Sequence, residues 1–441
     1  MAGFELDFSL LTPETPQYWL KNAHVPLSLL SNLSLKPQTR EGLCCVDIEV
    51  TAGQISQIVP PRDTASQGLS FNLKQGIILP CFVDSHVHLD KGQIWERSPN
   101  LDGTFDNAKN LCIEDSNNWH AEDLYRRMEF GLKCSYAHGT KALRTHLDSF
   151  GVQAEISFSI FQTLQKEWRD RLTLQAVSLV SLDFFLQSQG VKLANLVAEI
   201  GGVLGGVAYM NPDLDRQLDA VFTLAKEREI PLDFHVDENG DPTSICLRKV
   251  AEAALRHQFP YPITCSHCCS LALQSQGEVE ATLLLVKQAG IAIISLPLCN
   301  LYLQDTLPGK TPIWRGITRV REMEKAGIPV AFASDNTRDP FFGFGDLDML
   351  EVFTQAVRIA HLDRPYATWI NGVTKTPATF MELPKVGQIG VGLPADLVLF
   401  RARYYSELLS RPQRDRVVLR NGYPIDTTLP DYAELDDLIE L

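Results

Sequence analysis

Between residue 75 and about residue 380 the chain alternates short apolar runs with amphipathic stretches. This alternation constrains the fold more than any other feature. A strand that leads into a helix returns most simply to a parallel neighbouring strand. Eight apolar runs read as strands, ending near His88, Leu147, Leu179, Met210, His235, His267, Pro297 and Ser334. Helical stretches lie between several of them, for example Ala121 to Tyr136 and Leu214 to Arg228. Eight such units over roughly 300 residues fit an α/β fold of the (β/α)8 TIM-type barrel kind, whose chemistry sits at the C-terminal ends of the strands. The alternative, a doubly wound open sheet, wants a glycine-rich phosphate turn after its first strand. The stretch Pro80 to Lys91 is not one.

Two β-rich segments flank the alternating region. Tyr18 to Pro26 reads as a strand ending at proline. Leu43 to Val50 and Gln54 to Val59 follow as strands joined by the turn signal Thr51-Ala52-Gly53. Near the other end, Ala395 to Phe400 and Asp415 to Gly422 read as strands, with Asn421-Gly422 as a hairpin signal. The expected organisation has three parts. Residues 1–74 form a terminal arm, loose to about residue 16, and part of a small composite β-sandwich. Residues 75–380 form the metal-dependent barrel. Residues 381–441 complete the sandwich and end in an acidic tail, Asp431 to Leu441, expected as a solvated end or short helix.

Composition excludes several function classes. The formal net charge of −14 with scattered basic residues argues against a nucleic-acid or anionic-membrane surface. No apolar run approaches the roughly 18 residues of a membrane span. The N-terminus lacks the basic and apolar regions of a secretion signal, so a cytoplasmic location is expected. Ten cysteines, several in or beside apolar runs, read as reduced structural thiols in that compartment. Cys265-Ser266-His267-Cys268 is formally a CxxC but has no second pair at zinc-knuckle spacing, and reads as incidental.

The polar residues at the strand ends carry the chemistry. His86-Val87-His88 follows the apolar run Ile77-Ile78-Leu79. Alternate residues of a strand share a face, so His86 and His88 point the same way and make half of a metal site. Alone, the pair reads equally as two polar residues at a strand terminus. Other strands end in Phe234-His235-Val236-Asp237-Glu238, Thr264-Cys265-Ser266-His267 and Phe332-Ala333-Ser334-Asp335-Asn336. A His or Asp thus recurs at the ends of strands one, five, six and eight, where a barrel builds its site. Such a donor set suits one divalent metal ion, Zn2+ or Fe2+.

In order and strand placement these residues resemble the metal-dependent amidohydrolase superfamily, and within it the cytosine deaminase-like branch. The match extends to His88-Leu89-Asp90, Arg144-Thr145-His146-Leu147-Asp148, Leu301-Tyr302-Leu303-Gln304, Arg315 to Val320 and Asp335 to Pro340. The resemblance implies that His86, His88, His235 and Asp335 bind the metal and that a metal-bound hydroxide attacks the substrate. It implies that His267 orients that water, that Glu238 shuttles a proton to a ring nitrogen, and that Asp335 passes a proton to the leaving amine. Two-metal members carry a lysine on the fourth strand. Gly202 to Met210 has none, so one metal is expected.

The resemblance also places Lys91, Ser181, Gln304 and Asn336 about the substrate, and three of them depart from cytosine deaminases. A glutamine there reads the pyrimidine's carbonyl and ring N–H, and Ser181 stands in its position, too short to reach as far. An aspartate there holds the exocyclic amine, and Asn336 replaces it. Lys91 follows the HxHLD motif, as in relatives that hydrolyse aminated triazines. The expected partner is therefore a small nitrogen heterocycle, cytosine or a related pyrimidine or triazine, with neither nucleic acid nor membrane involved and a homo-oligomer left open. His146 is expected to pack beside the site rather than bind metal. Arg338 and Asp339 are candidates for a rim ion pair with no catalytic role. The connection Gly92 to His120, with Trp95 and Phe105, is a candidate lid. Rival readings are a cyclic amidase, which Glu238 argues against, and a non-catalytic barrel, which the complete ligand set argues against. A Ser266 nucleophile lacks the GxSxG elbow.

Overall fold

The computed structural model describes residues 8–12, 15, 17–31, 35–61, 68–366 and 368–439. Most of the arm expected over residues 1–16 lies outside them. The chain divides into two compact units. One comprises Asp84–Cys134, Ala142–Asp348 and Pro430–Leu441, the other Met1–Val83, Ser135–Lys141 and Met349–Leu429.

The alternating strands are β1 (Phe82–Val87), β2 (Thr140–Asp148), β3 (Thr173–Leu179), β4 (Leu204–Ala208), β5 (Leu232–Val236), β6 (Ile263–His267), β7 (Ala292–Ser295) and β8 (Val330–Phe332), and apart from the first two residues of β1 and of β2 they belong to the first unit. Strands β1 to β3 form one sheet and β4 to β8 another. The pairings β2 to β3 and β4 through β8 are parallel. Bridges Val177 to Val203 and Ser181 to Val207 join β3 to the β4 side, and Val87 to Asp335 joins β1 to the end of β8. The strands thereby close into a TIM-type barrel. Residues of β1, β5, β6 and β8 are buried throughout. Burial on both faces means that the polar residues these strands carry, such as Asp84, His86, Asp233 and His235, are also withdrawn from water. In β4 a side chain at Gly205 would collide with the backbone of Asp233 and Ser178.

The connection from Gly92 to His120 is not an open loop. It contains helix α1 (Phe105–Asp115), whose Thr104 N-cap accepts from the Asn107 amide, and a 3-10 turn at Ser116–Asn118. Helix α2 (Ala121–Ala137) follows with Glu122 and Asp123 in its first turn, where the helix dipole favours negative charge. The acidic tail is ordered as a 3-10 turn, Tyr432–Leu435, and a helical turn, Asp436–Ile439. Leu435 buries against Phe130 and Cys134 of α2. Arg126 pairs with Asp437 at 2.6 Å and Lys133 with Glu434 at 3.0 Å. The charges that read as a solvated end are therefore the polar face of a segment docked by Leu435 and Leu438.

The other unit carries two four-stranded sheets. One runs Gln54–Val59, Leu43–Thr51, Gln17–Pro26, Leu69–Asn72, and the second Tyr423–Pro424, Val417–Arg420, Leu397–Leu399, Ile78–Pro80. Asn421 and Gly422 both take left-handed backbone (φ 47° and 79°), as a two-residue hairpin turn of this kind requires. Leu20, Val46, Ile48 and Val50 pack in the same core as Ile78, Leu397, Leu399 and Leu419. Segments far apart in sequence thus share one hydrophobic core. All ten cysteines are free thiols and nine are buried, Cys45 being the exception.

Candidate active site

The ends of β1, β5 and β6, with the residues just past β8, bring one cluster together. Asp335 Oδ1 lies 3.5 Å from His86 Nε2 and 3.3 Å from His88 Nε2. His235 Nε2 lies 3.4 Å from His88 Nε2. Ligand atoms of His86, His235 and His267 lie within 4.8 Å of one another, as do those of Glu238, His267 and Asp335. Backbone bends make this convergence possible: His267 and Asp335 leave their strands in left-handed conformation (φ 68° and 65°), which aims each side chain inward.

The cluster fits a divalent cation. Both Asp335 oxygens, both His86 ring nitrogens and His267 Nε2 are buried without a hydrogen-bond partner. Buried polar atoms left unpaired are costly, and nitrogen and oxygen donors at this spacing are what a Zn2+-type ion coordinates. Burial, with Lys91 and the crowding of neighbouring imidazoles, holds His86, His88 and His235 well below the usual histidine range. They are therefore neutral, as metal ligands must be. Burial works to raise the Asp335 carboxyl, but contact with His88 and the charge of His267 outweigh it and keep it ionised.

Glu238 and His267 form a second contact. His267 Nδ1 lies 3.1 Å from Glu238 Oε1, and Asn300 Nδ2 lies 3.0 Å from His267 Nδ1 and 3.2 Å from Glu238 Oε1. Burial pushes Glu238 up, with His267 offsetting part of the rise. Burial pulls His267 down, and the Glu238 carboxylate, together with Asp335 and Asn300, more than reverses it. Asn300 sits on the short helix Pro297–Leu303 after β7 and carries no recognisable sequence signal.

His146 packs its ring 3.9 Å from that of His86. Its Nε2 lies 3.2 Å from Asp233 Oδ1, while Arg144 Nη1 donates to Asp233 Oδ2 at 3.1 Å. Asp233 and Asp84 were not singled out from the sequence. Asp84 accepts from the Ser334 amide at 3.1 Å and is pushed by burial up to about 7. The period-two rule that pairs His86 with His88 puts Asp84 on the same face and was signal enough to find it.

A cavity of about 380 Å³ opens on the cluster. His88, Glu238 and His267 form one part of its wall, with Lys91, Ser181 and Asn336 also lining it. Phe105 and Ile113 of α1, Phe341 and Tyr209 supply apolar surface. The stretch expected as a lid therefore contributes a helix to the wall. Gln304 lines a neighbouring cavity of about 620 Å³ that shares Glu238 and Tyr209, and its Nε2 donates to the Glu238 carbonyl at 3.4 Å. Asn336 Nδ2 donates to Asp339 Oδ2 at 2.7 Å. The candidate ion pair of Arg338 with Asp339 does not form. Arg338 has left-handed backbone (φ 50°), so the two side chains part: Asp339 turns inward to Asn336, and Arg338 pairs with Glu96 at 2.5 Å.

A barrel with a buried His/Asp cluster at the C-terminal ends of its strands fits the class of metal-dependent hydrolases. Comparison with known proteins gives the family. The amidohydrolase family profile matches residues 144–425, and the chain belongs to that family. A pterin deaminase of Rhizobium rhizogenes is 47% identical over 437 residues, covering 98% of this chain and 100% of its own. An N-isopropylammelide isopropyl amidohydrolase of Pseudomonas is 24% identical over 361 residues, covering 79% of this chain and 86% of its own. Among solved structures, a 5-methylcytosine deaminase from Klebsiella pneumoniae superposes with TM-score 0.79 at 23% identity over 94% of this chain and 98% of its own, which shows the shared fold.

Proposed function

We propose that the chain is a mononuclear, Zn2+- or Fe2+-dependent deaminase of a 2-amino-4-oxo bicycle of the pterin type, converting it and water to the dioxo product and ammonia. The observation that carries this reading is the contact of Glu238 with His267 on the wall of a 380 Å³ cavity beside the donor cluster. Aromatic Phe105, Phe341 and Tyr209 suit a flat, extended ring, and short Ser181 leaves room where a long side chain would fill it. The extent of likeness to a pterin deaminase supports the same substrate.

His86, His88, His235 and Asp335 would hold the ion, whose Lewis acidity makes water acidic enough to attack near neutral pH. Asp335 would take a proton from the attacking water. His267 orients that water and balances the charge that develops on the former amidine carbon. Glu238 delivers a proton to the adjacent ring nitrogen, which makes that carbon electrophilic. A C–O bond would form, the exocyclic C–N bond would break as the amine takes the proton Asp335 holds and leaves as ammonia, and the new hydroxyl would give its proton back to Glu238, leaving the oxo product. Asn300, touching both Glu238 and His267, fixes their mutual orientation. His146, held by Asp233, supports His86 from behind. Asn336 and Gln304 complete the surroundings of the reacting amine and of Glu238.

We further take the smaller unit's two sheets as a composite β-sandwich built from the terminal segments, and the enzyme as cytoplasmic. Among the described residues no helix is long and apolar enough to cross a membrane.

The test is an ammonia-release screen on metal-reconstituted enzyme over pterin, cytosine, isoguanine, creatinine, ammelide and N-alkylated triazines. Pterin should give the highest kcat/KM. Turnover of cytosine with none of pterin would overturn the reading.

A further inference from the structure

Two charged side chains in the cavity wall take no part in the mechanism above. Lys91, just past β1, is 3% exposed, and its Nζ donates to Asp148 Oδ1 at 2.7 Å at the end of β2. Both residues line the 380 Å³ cavity, and so does Ser181. Among the described residues Asp148 is the only hydrogen-bond partner of Lys91 Nζ, so the ammonium keeps two further hydrogens. The Asp148 side chain keeps 15% exposure, and its second oxygen accepts from no described residue. The pair is fixed from below: Asp90 Oδ2 accepts from the Asp148 amide at 2.7 Å. A buried ion pair adds little to stability compared with apolar residues of the same size. One placed on a pocket wall with a spare donor and a spare acceptor is a recognition element.

We propose that Lys91 and Asp148 together read a lactam edge of the substrate, Lys91 donating to the ring carbonyl oxygen and Asp148 accepting from the neighbouring ring N–H. One donor beside one acceptor is the complement of an N–H beside a C=O. A side-chain amide offers the same combination, and Ser181 cannot supply it. The proposal rests on the deaminase reading of this cavity and narrows its substrates to aminated rings bearing an oxo group next to a ring N–H. A site built to hydrogen-bond such an edge rejects an analogue that lacks it by large factors, because its own buried groups are then left unpaired.

The test compares pterin with 2-aminopteridine, which lacks the oxygen and the N–H. Wild-type enzyme should prefer pterin by at least about 100-fold in kcat/KM. Lys91→Met and Asp148→Asn should each raise KM for pterin much more than they lower kcat, and should reduce the preference at least tenfold. Lys91→Arg should restore most of it. Calorimetric titration with the dioxo product gives a readout independent of turnover, and its affinity should fall in step with KM. If Lys91→Met unfolds the chain, Asp148→Asn, which keeps shape and volume, carries the test. Retained preference in a folded variant with normal metal content overturns the proposal. Absence of any pterin turnover by wild type would instead overturn the deaminase reading, so the two failures are distinguishable.

Discussion

At the scale of single residues the site separates holding from proton transfer. Glu238 contacts His267 and Asn300 but is not among the residues assigned to hold the ion. Glu238→Gln should therefore keep its metal content and lose turnover by about 100-fold to 10,000-fold, the usual worth of a positioned acid–base group. Metal analysis beside steady-state kinetics checks this, and loss of the ion from the variant would assign Glu238 a different job. The sequence exposed the cluster because His86, His88, His235, His267 and Asp335 each stand at the end of an apolar run. It hid Asn300, an ordinary amide on a helix whose role arises only when β7 is set beside β6. It misread Arg338 because a left-handed residue reverses the direction that simple neighbour reasoning assumes.

At the scale of elements, strands and long helices were legible, since a buried strand and an amphipathic helix each impose a period on the sequence. Helix α1 was not, because its apolar stripe is short and faces a cavity rather than a core. Its placement depends on Arg97, whose Nε donates to Asp115 of α1 at 2.8 Å and whose Nη1 donates to Asp123 of α2 at 2.7 Å. All three side chains are almost fully buried. Arg97→Met leaves buried Asp115 without its cation, while Asp123 keeps Arg127, and should cost about 3 kcal/mol. Because α1 carries Phe105 and Ile113 of the cavity wall, KM should rise more than kcat falls. Denaturant melts and kinetics on the same preparation test this, and an unchanged KM in a destabilised variant would show that α1 does not shape the site.

At the scale of the whole molecule, folding and metal binding should be linked. The barrel gathers five buried imidazoles, those of His86, His88, His146, His235 and His267, about the Asp335 carboxylate and leaves several of their polar atoms unpaired. A ligand that binds only the native state adds about 2.7 kcal/mol at a hundred times its Kd. Stripping the ion by chelation should therefore lower Tm by on the order of 5 °C, with recovery on adding Zn2+ or Fe2+. A Tm that does not respond, with metal loss verified, would mean that the cluster is stable on its own. The barrel itself was readable as eight repeats of one pattern. The division into units was less so, because the contacts that draw residues 135–141 and 349–380 into the smaller one join positions distant in sequence.

The short run after His235 serves two structures at once. Asp237 accepts from Ser244 Oγ at 2.7 Å and from the amides of Cys246 and Leu247 at 2.8 and 2.9 Å, at the start of the helix Cys246–His257. The residue beside Glu238 is thus the clasp of a helix, and a change there disturbs catalysis and architecture together. Lys91, Asp148 and Ser181 line the cavity without anchoring any helix in this way. Descendants of this chain that acquire new substrates are therefore expected to change first at those three positions, while the His235 to Glu238 run stays as it is. The geometry makes one wall open to evolutionary trial and the other closed to it.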